Sequence, residues 1–256
     1  METIGFLALG LAIGSFGTLV GIGGGIFLVP IFLLVLGWGP QQAVGTSLMV
    51  VFLNALSGTL AYVKQKRIYY QAALWFSAAT FPGAVAGSSL VRYFSGNGFK
   101  LAFGSLLAVL GVWMFIRSTL AKPKEDQLST KFAYNRTLGI VISAIVGFLS
   151  SILGIGGGVI HVPAMIYVLG FPPHIATATS HFVLAISTLF GVVSHILWHN
   201  VVLEAAIPLG IGAVIGAQFG ARWSSKVKSK GITLLLAFSL FALGARLVVV
   251  AWLGGQ

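Results

Sequence analysis

Residues 21–25 read Gly-Ile-Gly-Gly-Gly, residues 154–158 read the same, and Val29-Pro30 and Val162-Pro163 follow at matching distances. Four glycines in five residues oppose a helix, because each costs about 1 kcal/mol relative to alanine. Both copies nevertheless sit inside long apolar stretches. A helix broken there and restarted near Ile26 and near Val159 points an N-terminus at the break. The first N–H groups of such a helix lack internal acceptors, and the macrodipole adds about half a positive charge. That is an anion site made without a cation. Gly21, Gly23, Gly24 and Gly25, with Gly154, Gly156, Gly157 and Gly158, are therefore candidate substrate-binding residues. Glycine lets a ligand approach the backbone and permits the positive φ that a tight break needs. The bland alternative is close helix crossing; duplication with fixed Val-Pro spacing favours the ligand site. Pro30 and Pro163 read as early-helix prolines that forfeit little hydrogen bonding.

Thr46-Ser47 and Thr179-Ser180 follow Pro40 and Pro173 at the start of the next apolar segment, where their hydroxyls could donate to the same anion. Asn54 and Ser187, equivalent to each other, lie about two turns deeper. The alternative for all of them is bonding to i−4 carbonyls or bridging of helices. His161 and His181 stand where the other half has Leu28 and Leu48. An intramembrane histidine is costly unless hydrogen-bonded or wet, so both are candidates for proton coupling. The four acidic residues form no pair inside an apolar segment, which excludes a carboxylate cage for a metal. With no cysteine, no hydrolytic triad and no phosphate-binding loop, neither an enzyme nor a cofactor or metal is expected.

The elements that must position these groups follow from composition. Of 256 residues, 57% are hydrophobic and 7% charged, and mean hydropathy is +1.01. Soluble domains are about 25% charged. Apolar segments near 41–63, 71–91, 99–116, 174–197, 204–222 and 232–252 are each long enough to span a bilayer core of about 30 Å, and 4–37 and 138–170 contain the glycine runs. The chain is predicted to be an all-α polytopic membrane protein. Its first segment lacks a basic start and does not read as a cleaved signal. The net charge of +11 sits in short loops, the topogenic pattern, and does not indicate nucleic acid. The expected partners are a lipid bilayer and a small anion; a homodimer is possible.

The chain is duplicated. A shift of 133 residues superposes 21–37 on 154–170 with 10 identities in 17, and carries on through Pro40/Pro173 to Gly87/Gly220. The halves are 1–116 and 138–256, joined by the polar linker 117–137, which is basic and predicted to be cytoplasmic. Loop 64–67 is basic whereas its counterpart 198–203 has no lysine or arginine, and 222–230 is basic whereas its counterpart near 92–100 carries only Arg92 and Lys100. This swap of bias predicts inverted repeats, each with a glycine-broken or re-entrant segment plus about three spans. The rival is eight full spans with parallel repeats.

The paired Gly-Ile-Gly-Gly-Gly-x₃-Val-Pro motifs, each followed by Ala-x-x-Thr-Ser (Ala43–Ser47 and Ala176–Ser180), resemble the TauE/SafE family of bacterial sulfite exporters over essentially the whole chain. The resemblance implies an inner-membrane secondary transporter or exporter of sulfite, sulfoacetate or a related organosulfonate. It supports the motif glycines, Pro30, Thr46 and Ser47 with their second-half equivalents, and transfers no role to His161 or His181. A passive anion channel and a membrane anchor subunit of a larger complex remain the alternatives.

Overall fold

The computed structural model describes residues 2–93, 96–120, 133–224 and 229–253. Among them every regular element is helical. The first half gives α1 (Glu2–Val20), α2 (Gly25–Leu34), α3 (Pro40–Lys64), α4 (Tyr70–Leu90) and α5 (Gly96–Leu120). The second gives α6 (Arg136–Leu153), α7 (Gly158–Tyr167), α8 (Pro173–Leu197), α9 (Leu203–Trp223) and α10 (Ser229–Leu253). A 3₁₀ turn, Val91–Tyr93, follows α4. Adding 133 to every boundary from the start of α2 to the end of α5 reproduces α7 to α10, so the duplication visible in the sequence extends to each element. The linker is shorter than 117–137, since α5 runs to Leu120 and α6 starts at Arg136; its residues 121–132 lie outside the described residues.

Six helices are long and apolar enough to cross a bilayer: α1, α3, α5 (over Gly96–Arg117), α6, α8 and α9. The segments predicted at 71–91 and 232–252 are helical but outside that set. α4 carries Ser77, Thr80, Ser88 and Ser89, and α10 contributes the shorter apolar run Ala237–Leu253. The outer surface is apolar, with Val109, Phe238 and Trp252 more than half exposed, as a lipid-facing surface requires. The interior is unusually polar for such a chain, with buried Thr18, Asn54, Ser150, His161, Ser180 and His181 among others.

α2 and α7 are 10 residues each, about 15 Å, too short to cross. Each begins at the glycine motif, and three residues after its end comes another left-handed glycine, Gly37 (φ 66°) or Gly170 (φ 75°). Pro40 and Pro173 then open α3 and α8 in the first turn, where a missing N–H costs least. Pro30 and Pro163 lie deeper than the sequence suggested, at the sixth residue of their helices. Each therefore removes one i→i−4 bond, to the carbonyl of Ile26 or Val159.

Small residues set the packing. A Cβ on Gly10 would strike the backbone of Leu209, and one on Gly14 would lie 2.6 Å from the Cα of Ala213. From the other side, Gly212, Gly216 and Gly220 press on the backbone of Leu7 and Leu11, Leu11 and Ser15, and Ser15 and Leu19. Residue numbers rise together, so α1 and α9 run in the same sense at near backbone contact. The equivalent pair behaves alike: Gly83 presses on Ala144 and Phe148, Gly87 on Phe148 and Ile152, and α4 runs with α6. In α3 and α8 the order reverses, with Gly58 against His181 and Gly191 against Leu48. It reverses also in α5 and α10, with Gly104 against Gly244 and Leu247, and Gly111 against Ala237 and Phe241. Without a hydrophobic force between helices in lipid, such close approach supplies the dispersion contacts that hold a bundle together.

Candidate anion site at the hairpin tips

The two glycine motifs meet in the middle of the bundle. Gly21, Gly23 and Gly24 have φ of 87°, 77° and 87°, and Gly154, Gly156 and Gly157 have 71°, 75° and 77°. A side chain at any of the six would be strained, by about 1–2 kcal/mol. Gly25 and Gly158 have ordinary angles but are needed for another reason. A Cβ on Gly25 would lie 2.5 Å from the carbonyl oxygen of Gly154, and one on Gly158 would lie 2.5 Å from that of Gly21. Each tip thus packs its helix start onto the carbonyl that ends the helix before the other tip's break.

Both short helices start without a side-chain cap, on Gly24 and Gly157. At the first tip the Gly17 carbonyl accepts from Gly21, Ile22 and Gly23, and bonding resumes at Phe27. At the second tip the Ser150 carbonyl accepts from Gly154 alone, at 2.9 Å, and bonding resumes at Ile160. The amides of residues 155–159 are left without a protein acceptor, against those of 24–26 at the first tip.

Beside that second tip lies a cavity of about 10 Å³, lined by Gly156, Gly157, Gly158, His161, Ser180 and Ser187, with Thr80 and Val146 closing its sides. This is about the room of one water. The Ser180 hydroxyl is buried and has no hydrogen-bond partner, and the same holds for Ser150, whose Oγ would lie 3.4 Å from a Cβ on Gly157. His161 is held by Ser143: that hydroxyl donates to the Gly139 carbonyl at 2.7 Å, so its 3.1 Å contact with Nε2 is accepted from the ring. No lysine, arginine or carboxylate lines the cavity.

The remaining candidates are placed elsewhere. Thr46 accepts from the Val202 amide at 3.0 Å and Thr179 from the Tyr69 amide at 3.0 Å, so each threonine holds the loop that precedes a helix of the other half. Ser47 donates to the Gly154 carbonyl at 2.8 Å. Asn54 donates to the carbonyls of Gly14 and Ala213 and accepts from Thr18, which uses its side chain fully. His181 faces Thr18 and Tyr62 rather than the cavity. The structure therefore gathers Gly156, Gly157, Gly158, Ser180, Ser187 and His161 into one cavity wall. Sequence reading missed Ser150, Thr80 and Ser143. Comparing the halves position by position flags all three, because their partners at the repeat shift are Gly17, Ala213 and Gly10.

Comparison with known proteins agrees with this architecture. Residues 6–247 match the family described as sulfite exporter TauE/SafE. The chain is 34% identical to a probable membrane transporter protein, YunE, of Bacillus subtilis, over 97% of this chain and 98% of that one. It is 30% identical to a probable membrane transporter protein of Xylella fastidiosa, covering 94% and 91%, and 26% identical to one of Methanocaldococcus jannaschii, covering 93% and 92%. No solved structure matches the chain. The chain belongs to the sulfite exporter TauE/SafE family, as a multi-pass transporter of the cell's inner membrane.

Proposed function

We infer that the chain is a secondary transporter, and an exporter, of a small oxyanion such as sulfite, sulfoacetate or a related organosulfonate. One observation carries this reading: at the α7 tip, acceptor-free amides, the unpartnered Ser180 hydroxyl and a histidine surround a cavity with no ionised side chain. Donors without a fixed charge suit an anion that must leave as readily as it enters. The cavity has room for about one water, so an oxyanion fits only if the residues around it move apart. The helix senses support repeats of opposite orientation. α1 runs with α9 and α6 with α4, while α3 opposes α8 and α5 opposes α10, so each helix opposes its own repeat equivalent. In that arrangement the α1–α2 and α6–α7 hairpins enter from opposite faces, and parting one pair of tips opens one side.

Binding to purified protein of sulfite, sulfate, thiosulfate, sulfoacetate and simple carboxylates tests the site. Saturable binding of at least one sulfur oxyanion, weakened in Ser180→Ala, is expected; no binding of any of them sinks the reading. Saturable counterflow separates a carrier from a channel. For orientation, cysteines at Lys64 and Leu203 exploit the absence of native thiols. An impermeant external reagent should label Leu203→Cys and spare Lys64→Cys in intact cells; equal labelling rules out inverted repeats.

A further inference from the structure

Away from the cavity, Thr18, Asn54, Tyr62 and His181 form a second buried polar cluster between α1, α3 and α8, and its hydrogens can be assigned. Asn54 gives its amide group to two carbonyls, Gly14 at 3.0 Å and Ala213 at 3.3 Å, so its oxygen must be the acceptor. Thr18 therefore spends its only hydroxyl hydrogen on Asn54 Oδ1, at 3.0 Å. Tyr62 donates to the Thr18 carbonyl at 2.7 Å. The 3.2 Å contact between Thr18 Oγ1 and His181 Nε2 is then possible only with the ring as donor. His181 is a neutral imidazole with its hydrogen on Nε2 and a bare lone pair on Nδ1. That Nδ1 is buried and has no hydrogen-bond partner.

The backbone of Gly21, the first residue of the first glycine motif, packs on α8 one turn before His181, where a Cβ would lie 3.0 Å from Thr177 Cα, and it reaches the His181 ring. In the other half the corresponding carbonyl, Gly154, accepts from Ser47 at 2.8 Å. Ser180, the repeat equivalent of Ser47, makes no such bond to Gly21. The ring that carries the bare acceptor is thus a neighbour of a motif carbonyl that its serine leaves free. These are complementary once a hydrogen is placed between them.

We propose that His181 Nδ1 is the proton-binding site of this transporter, and that the proton it takes is shared with the Gly21 carbonyl. This rests on the transport reading above and names its coupling ion. The proton comes from bulk water on one side; one N–H bond forms at Nδ1, the ring becomes imidazolium, and the same bond breaks when the proton leaves to the other side. Nδ1 and Gly21 are not bonded in the present conformation, so charging the ring favours a position of the first tip in which that carbonyl swings onto it. Proton binding and tip position are then linked, and each biases the other by the same factor. Of the groups facing the ring, Tyr62 of α3 is the ionisable one, with Arg67 beyond it in the following turn; α1 and α2 bring no charged side chain to it. His161 stands on α7 with Ser143 and belongs to the cavity wall.

The test uses the full chain in lipid nanodiscs, labelled with ¹⁵N-histidine, compared with His181→Gln. Glutamine keeps a donor toward Thr18 and has no site for a second proton. The expected result is a ring, missing from the variant, with hydrogen on Nε2 and a bare Nδ1 at alkaline pH, gaining an Nδ1 hydrogen as pH falls. In liposomes with an internal pH dye, a sulfoacetate gradient should move protons with wild type, while His181→Gln moves sulfoacetate at a rate independent of pH. A ring with its hydrogen on Nδ1, a ring that stays neutral throughout, or unchanged proton flux in His181→Gln overturns the proposal. Absence of flux with every anion tested instead sinks the transport reading, and the ring titration still decides the assignment of His181.

Discussion

The two hairpin tips share five residues and nearly the same backbone angles, yet they are not equivalent. Around the first, the Gly17 carbonyl absorbs three amides, Leu28 and Ile13 supply apolar walls, Ser47 is bonded and Asn54 is saturated. Around the second, the Ser150 carbonyl absorbs one amide, His161 replaces the leucine, Thr80 replaces Ala213, and Ser150 and Ser180 have no partners. A buried polar group left unpaired costs about 1–3 kcal/mol. The second tip retains two such hydroxyls, Ser150 and Ser180, where the first has Gly17 and the bonded Ser47. The glycines therefore make the turn in both halves, and the flanking side chains make the two tips differ in polarity and in unpaired donors.

The comparison can be broken most directly at the third glycine of each run. Gly157→Ala adds a methyl 2.8 Å from Val146 Cγ1 at a left-handed residue beside the cavity, and should abolish substrate flux. Gly24→Ala meets the Ile13 side chain and carries the same angular strain, about 1–2 kcal/mol. It should lower the melting temperature while leaving substrate affinity within a few-fold of wild type. Equal loss of affinity in both, at equal stability, would show that the tips share the ligand after all.

The serines give a sharper crossing with a smaller effect. Ser180→Ala removes a donor with no protein partner, so it should weaken binding by about tenfold to a hundredfold and leave thermal stability unchanged. Ser47→Ala removes the 2.8 Å bond to Gly154 and should cost about 1 kcal/mol of stability with little change in affinity. Calorimetry on one preparation of each variant reads both quantities. A Ser47 variant that loses affinity and keeps its stability would reverse the assignment.

Smallest and symmetric should be the threonines. Thr46→Val and Thr179→Val each strand one loop amide, at Val202 or Tyr69, and should lower stability alike, by about 1 kcal/mol, with affinity unchanged. A difference between them in substrate binding would bring one threonine back into the site.

Much of the architecture was legible in the chain itself. The repeat register, the two breaks, the short helix after each, and the proline that opens the next helix all depend on local backbone chemistry, which glycine and proline advertise. What the threonines do was not legible, because their partners are 156 and 110 residues away in the other half. Ser47 and Ser180 make the limit plain. They are the same residue at the same repeat position after the same Ala-x-x-Thr, and one is bonded while the other is bare. That difference depends on how two hairpins seat against each other, which no local pattern encodes. The divergence that matters for the site was visible only as mismatches between halves, at Gly17/Ser150, Leu28/His161 and Ala213/Thr80.

The reciprocal seating of Gly25 on the Gly154 carbonyl and Gly158 on the Gly21 carbonyl has a consequence for each half taken alone. A half expressed alone would present a bare carbonyl and a helix start to hydrocarbon, where nothing can satisfy them. An isolated half could satisfy them only by pairing with a second copy. Within one chain the two halves differ in their walls, as Leu28 and His161 show, but not in their turn. Mutational drift in this protein should therefore be tolerated in one half at a time around the tips, and in neither half at the glycines themselves.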